Sequence, residues 1–510
     1  MFWNSEHFII FFLESCSPQH YQSAIHSRIF YFHQRSRMNR KAGAGIAAAI
    51  AVIVAGTLGT SYYMGGKLQQ SFTKGLDKWS EHGVKIQVTS YDRGAFSSTA
   101  KTVWTLDSGD EPVQFTAEHK ISHGPLPLGH AAEIHTSFNL PENADPELKT
   151  ALNGRSPLEV DTKVGWGRSS SNVMTSPAVS SKIKDSEMTW GGMKIVWDMP
   201  ADMKAAKGTG SFAGLQFKDE EGSVTLDKAD MRFDMKQPSG QQFWTGPFAM
   251  TIGKIAATKQ EEEGKSSASH FEGITMDSDT ILKGEVVEMT LKTGIKTAKL
   301  EDKQADDLVL EMAFNNVDAN WINQVVEMSK RKNPLLGASG EAGDDEDADE
   351  QQSGDLREKM LKSLTQALAR QPVIELKRLS MRTPDGVSEF AAAVQYLGDG
   401  EKMGTLLQDL KVSLKADMPK PFMENMMLAR RRSSLQAVFE GESEYKPEDI
   451  EGAAKAQTQA SLEMLKEQGI FEDKDGKMRT EIVYAKGEFQ VNGKPLDAMG
   501  TSTLMGTMAE

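Results

Sequence analysis

The pattern that most restricts what this chain can become is alternation. Beyond Gly65, apolar and polar side chains repeatedly change places at every second position, the period of a strand with one buried face and one solvated face. Leu158, Val160, Thr162, Val164 and Trp166 alternate with Glu159, Asp161, Lys163 and Gly165. Met193/Ile195/Trp197/Met199, Met231/Phe233/Met235, Leu308/Leu310/Met312/Phe314 and Leu410/Val412/Leu414/Ala416 read the same way. Parallel strands covered by helices on both faces would read as unbroken apolar runs, so an antiparallel sheet is expected. Near the C-terminus, Ile482 to Tyr484 and Phe489 to Val491 precede Asn492-Gly493, a pair that tolerates positive φ and marks a hairpin turn.

Three helices are expected. One runs over 319–331 behind Asp318 as N-cap, carrying Trp321, Ile322, Val325, Val326 and Met328. In a second, Leu356, Met360, Leu361, Leu364 and Leu368 share a face until Gln371-Pro372 stops the helix. Pro447-Glu448-Asp449 opens a third over 447–468. Between the first two, the acidic run Glu341 to Glu350 cannot bury itself and is expected to be a solvated loop. The fold class is therefore α+β, dominated by a large, mainly antiparallel sheet with a few amphipathic helices in the C-terminal half. The region 66–316 is expected to be β-rich, and 317–510 to be α+β and to continue the same sheet-rich domain.

Residues 42–65 contain no charge, and as a helix rising about 1.5 Å per residue they would cross a hydrocarbon core roughly 30 Å thick. Arg28, Arg35, Arg37, Arg40 and Lys41 lie on the N-terminal side and Tyr62-Tyr63 at the far interface. The expectation is an uncleaved single-pass anchor in a bacterial inner membrane, with everything after Gly65 in the periplasm. Met38-Asn39-Arg40-Lys41 reads as a complete targeting opening, so residues 1–37 are expected to be a non-native or disordered extension. Gly43, Ala47, Ala51, Ala55 and Gly59 recur every four residues and would let a second helix approach closely, which suggests a homodimer.

At 510 residues the chain can bury a substantial core without staples. Its one cysteine, Cys16, excludes an intrachain disulfide and a cysteine metal site. The net charge of −14 argues against nucleic acid, whose phosphates call for clustered Lys and Arg.

Fragments that imitate catalytic motifs lack the residues their mechanisms need. Gly264-Lys265-Ser266 resembles the tail of a phosphate loop, but the upstream glycine position is Lys259 and Glu261-Glu262-Glu263 would repel a nucleotide. Asp473-Lys474-Asp475-Gly476 has Phe471 and Ile482 where a calcium loop needs carboxylates, so it reads as a turn. Gly208-Thr209-Gly210-Ser211 fits neither a nucleophile elbow nor a dinucleotide fingerprint. Among His119, His123, His130 and His135, Gly124-Pro125 and Pro127 break any helix that would align the rings, so no metal site is expected. No cofactor or catalytic residue is expected either. The 27 methionines are core fillers whose flexible thioethers would also suit a groove for varied acyl chains.

Two motifs carry a family resemblance: Tyr91-Asp92-Arg93-Gly94-Ala95-Phe96-Ser97-Ser98 and His123-Gly124-Pro125-Leu126-Pro127-Leu128-Gly129. With the upstream anchor and Val491-Asn492-Gly493-Lys494-Pro495-Leu496, the chain from about Met38 onward resembles the YdgA family of Gram-negative bacteria, a group built on a domain of unknown function. The resemblance implies an inner-membrane-anchored periplasmic protein that self-associates and has no established catalytic residues. Tyr91, Arg93, Gly94, Phe96, Ser97, His123, Gly124 and Pro125 are the candidate residues of structural or binding role. Arg93-Gly94 would mark a turn between two strands, with Tyr91 and Phe96 packing inward and Arg93 pairing with a carboxylate. Gly124-Pro125 would shape a rigid exit from a strand ending at Ile121.

The functional expectation is a non-enzymatic envelope protein that binds a partner, either a second copy or another envelope component. The alternative is a periplasmic protein that binds or transfers acyl chains on an apolar sheet face.

Overall fold

The computed structural model describes residues 84–93, 97–106, 113–123, 130–141, 144–183, 185–260, 266–301, 303–330, 362–400, 406–439, 447–496 and 500. The anchor at 42–65, the extension 1–37 and the acidic run 341–350 lie outside them. Among the described residues, no helix is long and apolar enough to cross a membrane.

Twenty-four strands of the described residues join one sheet. In chain order β1 (Val84–Arg93), β2 (Ser97–Leu106), β3 (Val113–His123) and β4 (Ala132–Asn139) lead through α1 (Pro146–Leu152) to β5 (Leu158–Val164) and β6 (Ser170–Ser176). The short strands β7 (Val179–Ile183), β8 (Ser186–Trp190), β9 (Met193–Met199), β10 (Ala205–Phe212), β11 (Leu215–Lys218), β12 (Gly222–Leu226) and β13 (Ala229–Lys236) follow. Then come four long strands, β14 (Gly246–Gln260), β15 (Ser266–Lys283), β16 (Val286–Leu300) and β17 (Lys303–Asp318), and the helices α2 (Ala319–Lys330) and α3 (362–368). The chain continues with β18 (Val373–Thr383), β19 (Gly386–Tyr396), β20 (Leu410–Pro419), α4 (Lys420–Phe439) and α5 (Pro447–Glu467). It closes with β21 (Glu472–Lys474), β22 (Lys477–Ala485), β23 (Glu488–Val491) and β24 (Lys494–Pro495).

Every pairing is antiparallel, and most join strands adjacent in sequence. The main ladder runs from β1 through β6, crosses to β9, β10 and β13, then continues from β14 to β20, β22, β23 and β24. Strands β7, β8, β11 and β12 form a second ladder that joins the far half of β14. The two ladders are one set of bent strands. Ser176 passes into Val179 through Pro177-Ala178, Trp190 into Met193 through Gly191-Gly192, Phe212 into Leu215 through Ala213-Gly214, and Leu226 into Ala229 through Asp227-Lys228. Backbone hydrogen bonds stitch this crease: Gly191 N–H to Gly214 O at 2.8 Å, Ala213 N–H to Gly192 O at 2.9 Å, and Gly253 N–H to Lys228 O at 2.9 Å.

Glycine is required at the crease. Gly192 has φ +93° and a Cβ there would lie 2.9 Å from Ser176 O; Gly214 has φ +121° and a Cβ there would lie 2.9 Å from Leu226 O.

The outer face carries cross-strand charge pairs. They include Lys101–Glu118 at 2.8 Å, Lys207–Asp234 at 2.7 Å, Lys292–Glu311 at 2.8 Å and Arg378–Glu389 at 3.0 Å. The Lys101 and Lys292 ammonium groups hold the Glu118 and Glu311 carboxyls below the usual carboxylate range by hydrogen bonding. Exposed pairs of this kind contribute little to stability. Register is therefore fixed by the apolar face, because a slip of one residue would turn a whole strand inside out.

The expected strands at 158, 193, 231, 308 and 410 fall in β5, β9, β13, β17 and β20. Trp166 departs from the pattern. Val164 ends β5, a turn closes from Gly165 N–H to Ser169 O at 2.8 Å, and Trp166 is left 55% exposed. Asp318 caps α2, its Oδ1 accepting from Trp321 N–H at 2.9 Å. The described part of the second expected helix is α3, and the third is α5. Asn492 and Gly493, at φ +50° and +76°, form the turn between β23 and β24. Asp475 and Gly476, at φ +55° and +74°, turn β21 into β22. Alternation did not signal α1 and α4.

Candidate functional site

The register joins the apolar faces of successive strands into one surface. A single row of directly paired residues can be followed across seventeen strands. It starts Tyr91, Ala100, His119, Thr136, Val160, Met174, Ile195, Gly210 and Met231. It continues Met250, Met276, Thr293, Leu310, Leu379, Phe390, Ala416 and Thr480. At about 4.8 Å per strand the row measures roughly 75 Å along the sheet.

Coverage divides this face into three parts. In the N-terminal part Ile86, Trp104, Phe115, Phe138, Val160, Met174 and Trp197 are buried in one core, with Trp104 and Phe138 edge to face at 5.5 Å. At the C-terminal end α4 and α5 cover the face, where Met423, Leu462 and Leu465 pack on Met418, Met478, Ile482 and Val491. Between them, from β13 to β20, the face is largely half-exposed, with Met231 and Phe233 still packing on the N-terminal core, Phe390 and Leu414 on the helical cap, and Leu310 and Ala416 buried. Two further rows run through this stretch beside the first. One is Phe233, Phe248, Ser278, Leu291, Met312, Leu376, Ala392 and Leu414; the other is Thr280, Met289, Phe314, Ile374, Val394 and Val412. None of the three rows carries a charged residue between β13 and β20, and in the third Ile374 and Val394 are 46% and 38% exposed.

The track has definite margins. On one side the crease continues into the long strands, with Gly273 at φ +61° and Asp307 at φ +50°. Beyond it Phe271, Ala298, Ala305, Leu308 and Met381 form a small cluster on which Phe390 of the first row also packs. On the other side α2 packs Ala319 and Ile322 on Phe243 and Val287. Arg370 ties that margin together, pairing with Glu285 in the β15–β16 turn and with the buried Asp318 carboxylate at 3.3 Å.

The two glycines of Gly208-Thr209-Gly210-Ser211 lie one strand outside the track, on β10. Gly208 and Gly210 lie in β10 with Phe233 and Met231 folded over them, so close that a Cβ would lie 2.8 Å from Phe233 Cζ and 2.5 Å from Met231 Cε.

His119 is the titratable group buried on this face. Its Nε2 lies 2.9 Å from Thr102 Oγ1 and its Nδ1 2.9 Å from Thr136 Oγ1, while Trp104 Nε1 donates to Thr102 Oγ1 at 2.8 Å. Burial pushes its pKa down to about 4, so the ring is neutral and the row is uncharged at neutral pH.

The described histidine side chains do not converge. His135 is on the opposite face of β4 from Thr136 and pairs with Asp161 at 2.8 Å; His130 stands 3.8 Å from Glu133. Among the described residues no group of three His, Cys, Asp or Glu side chains could hold a metal ion.

Of the motif residues, the register places both sequences at one end of β1, β2 and β3. Arg93 faces Ser98, Ser97 faces Ser122, and His123 faces Ala132. Tyr91 packs against the N-terminal core. Arg93 is exposed and has no carboxylate partner among the described residues. The β3 strand continues two residues past Ile121 to His123. Gly94, Phe96, Gly124 and Pro125 lie outside the described residues. The described candidates are far along the sheet from the open track, which no short motif marks.

One antiparallel sheet, with charge pairs on one face and largely apolar on the other, defines a β-rich protein. The chain belongs to the family described as bacterial protein of unknown function (DUF945), whose model matches residues 39–499. It is 21% identical over 450 residues to Protein YdgA of Escherichia coli (strain K12), covering 82% of this chain and 85% of that protein. No solved structure matches the chain.

Proposed function

We propose that this protein is a non-enzymatic lipid-binding protein of the bacterial envelope, held in the inner membrane by 42–65, with the track between β13 and β20 receiving acyl chains in the periplasm. The observation that carries this reading is the uncharged, half-exposed face: a soluble domain seldom leaves so long a contiguous apolar surface open to water without a use for it. The methionines along it, Met231, Met250, Met276, Met289 and Met312, support a loosely shaped ligand, because thioethers adapt to irregular partners.

The experiment is mass spectrometry of organic extracts from the full-length protein purified gently from membranes. Co-purifying phospholipid or fatty acid, lost when Leu291 and Ile374 are both changed to Asp, is the expected result. A lipid-free protein that runs as a dimer would overturn the reading and assign the track to a second copy.

A further inference from the structure

The geometry of the track points past binding to movement, and this step rests on the acyl-chain reading above. From β13 to β20 two of the rows cross eight strands, about 34 Å at ~4.8 Å per strand, and the third crosses six, from β15 to β20. The hydrocarbon core of a bilayer, two chains end to end, is about 30 Å thick, so one lipid's chains would cover roughly half of this length. A storage pocket is closed around one ligand and fixes it with a few placed polar groups. Here the face is half-exposed between Met231 and Phe233, which pack on the N-terminal core, and Phe390 and Leu414, which pack under the helical cap; its most exposed residues, Ile374 and Val394, lie towards its β20 end, and its polar side chains are hydroxyls such as Ser278, Thr280 and Thr293. A chain lying on it meets nearly the same surface after each strand, so no position is strongly preferred over the next. The uncharged segment 42–65 precedes β1 by only eighteen residues, so on the membrane-anchor reading the sheet stays close to the bilayer that supplies the chains.

We infer that the apolar face is a transfer path on which membrane phospholipids lie in series and advance away from the bilayer. The occupant is a two-chain phospholipid of the anchoring membrane.

The test uses the full-length protein in donor vesicles of phosphatidylethanolamine and phosphatidylglycerol carrying a fluorescent phospholipid, with unlabelled acceptor vesicles. Wild type should accelerate transfer, and native mass spectrometry should count two or more phospholipids per chain. Ile374→Asp places a charge in the path and should slow transfer at least ~10-fold while lipid remains bound to the chain, because an unpaired carboxylate among acyl chains is strongly unfavourable. Ile374 is already half in water, so the variant should fold; Leu291→Asp, deeper in the path, is the second variant, and thermal unfolding checks both. A single lipid per chain, or transfer by folded Ile374→Asp and Leu291→Asp at the wild-type rate, would overturn the path and leave a store. Absence of lipid from every sample would overturn the binding reading beneath it.

Discussion

His119 is a basic residue near one end of an otherwise uncharged row, and its environment decides whether that row stays uncharged. Thr102 and Thr136 satisfy both ring nitrogens, and burial disfavours the imidazolium. The folded pKa of about 4 lies below the unfolded value near 6.5, so between these values the unfolded chain binds more protons than the folded one. Stability from this group is complete above about pH 6.5 and is lost as pH falls towards 4, by about 3 kcal/mol in the limit. Urea unfolding at pH 7.5 and pH 4.5 should therefore show a larger acid loss for wild type than for His119→Gln. Equal losses would show that His119 is not held neutral by the fold. The ring was visible in the sequence only as one of four nearby histidines. Its role depends on β2 and β4 bringing threonines to either side, which spacing along the chain does not encode.

At the scale of elements, alternation marked strands wherever one face is buried and the other solvated, as in β5 and β9. It did not mark α4, because its apolar positions do not form one stripe: Met423 is buried, Met426 is 43% exposed, and Arg430, Arg431 and Arg432 interrupt the run. It also ran past the end of β5 to Trp166, where a tight turn overrides the pattern. The crease was equally hidden, since its glycines and Pro177 look like ordinary loop residues until they align across strands. Gly192→Ala should cost about 2 kcal/mol or more, from a left-handed backbone and a clash with Ser176 O. Gly452→Ala, in the middle of α5 with open space around it, should instead stabilise by about 0.5–1 kcal/mol. Denaturant midpoints of the two variants should move in opposite directions; movement in the same direction would contradict the crease.

The whole molecule is a sheet assembled mostly from neighbours in sequence, so each strand's protection depends on the strands on either side. The long strands β15, β16 and β17 are paired along almost their entire length with long partners, while β23 meets only four residues of β22. Hydrogen exchange followed by mass spectrometry should find the slowest amides in β16 and fast exchange in β23 and β24. Uniform exchange across the sheet would mean that it opens as a single unit. The α+β class and the excess of antiparallel strands were legible from single segments. The track was not, because an apolar face becomes a continuous surface only through the register between strands far apart in the chain.

That sequential pairing also bears on how such a molecule can change over generations. Where each strand lies beside its predecessor, duplicating or deleting one hairpin adds or removes about 10 Å of sheet without altering either end. Because each added strand would present its alternate residues to the same side, the apolar face would lengthen by the same step. Reach is thus a heritable dimension of this architecture, adjustable in whole hairpins while the helical cap at the C-terminal end and the buried core at the N-terminal end stay as they are.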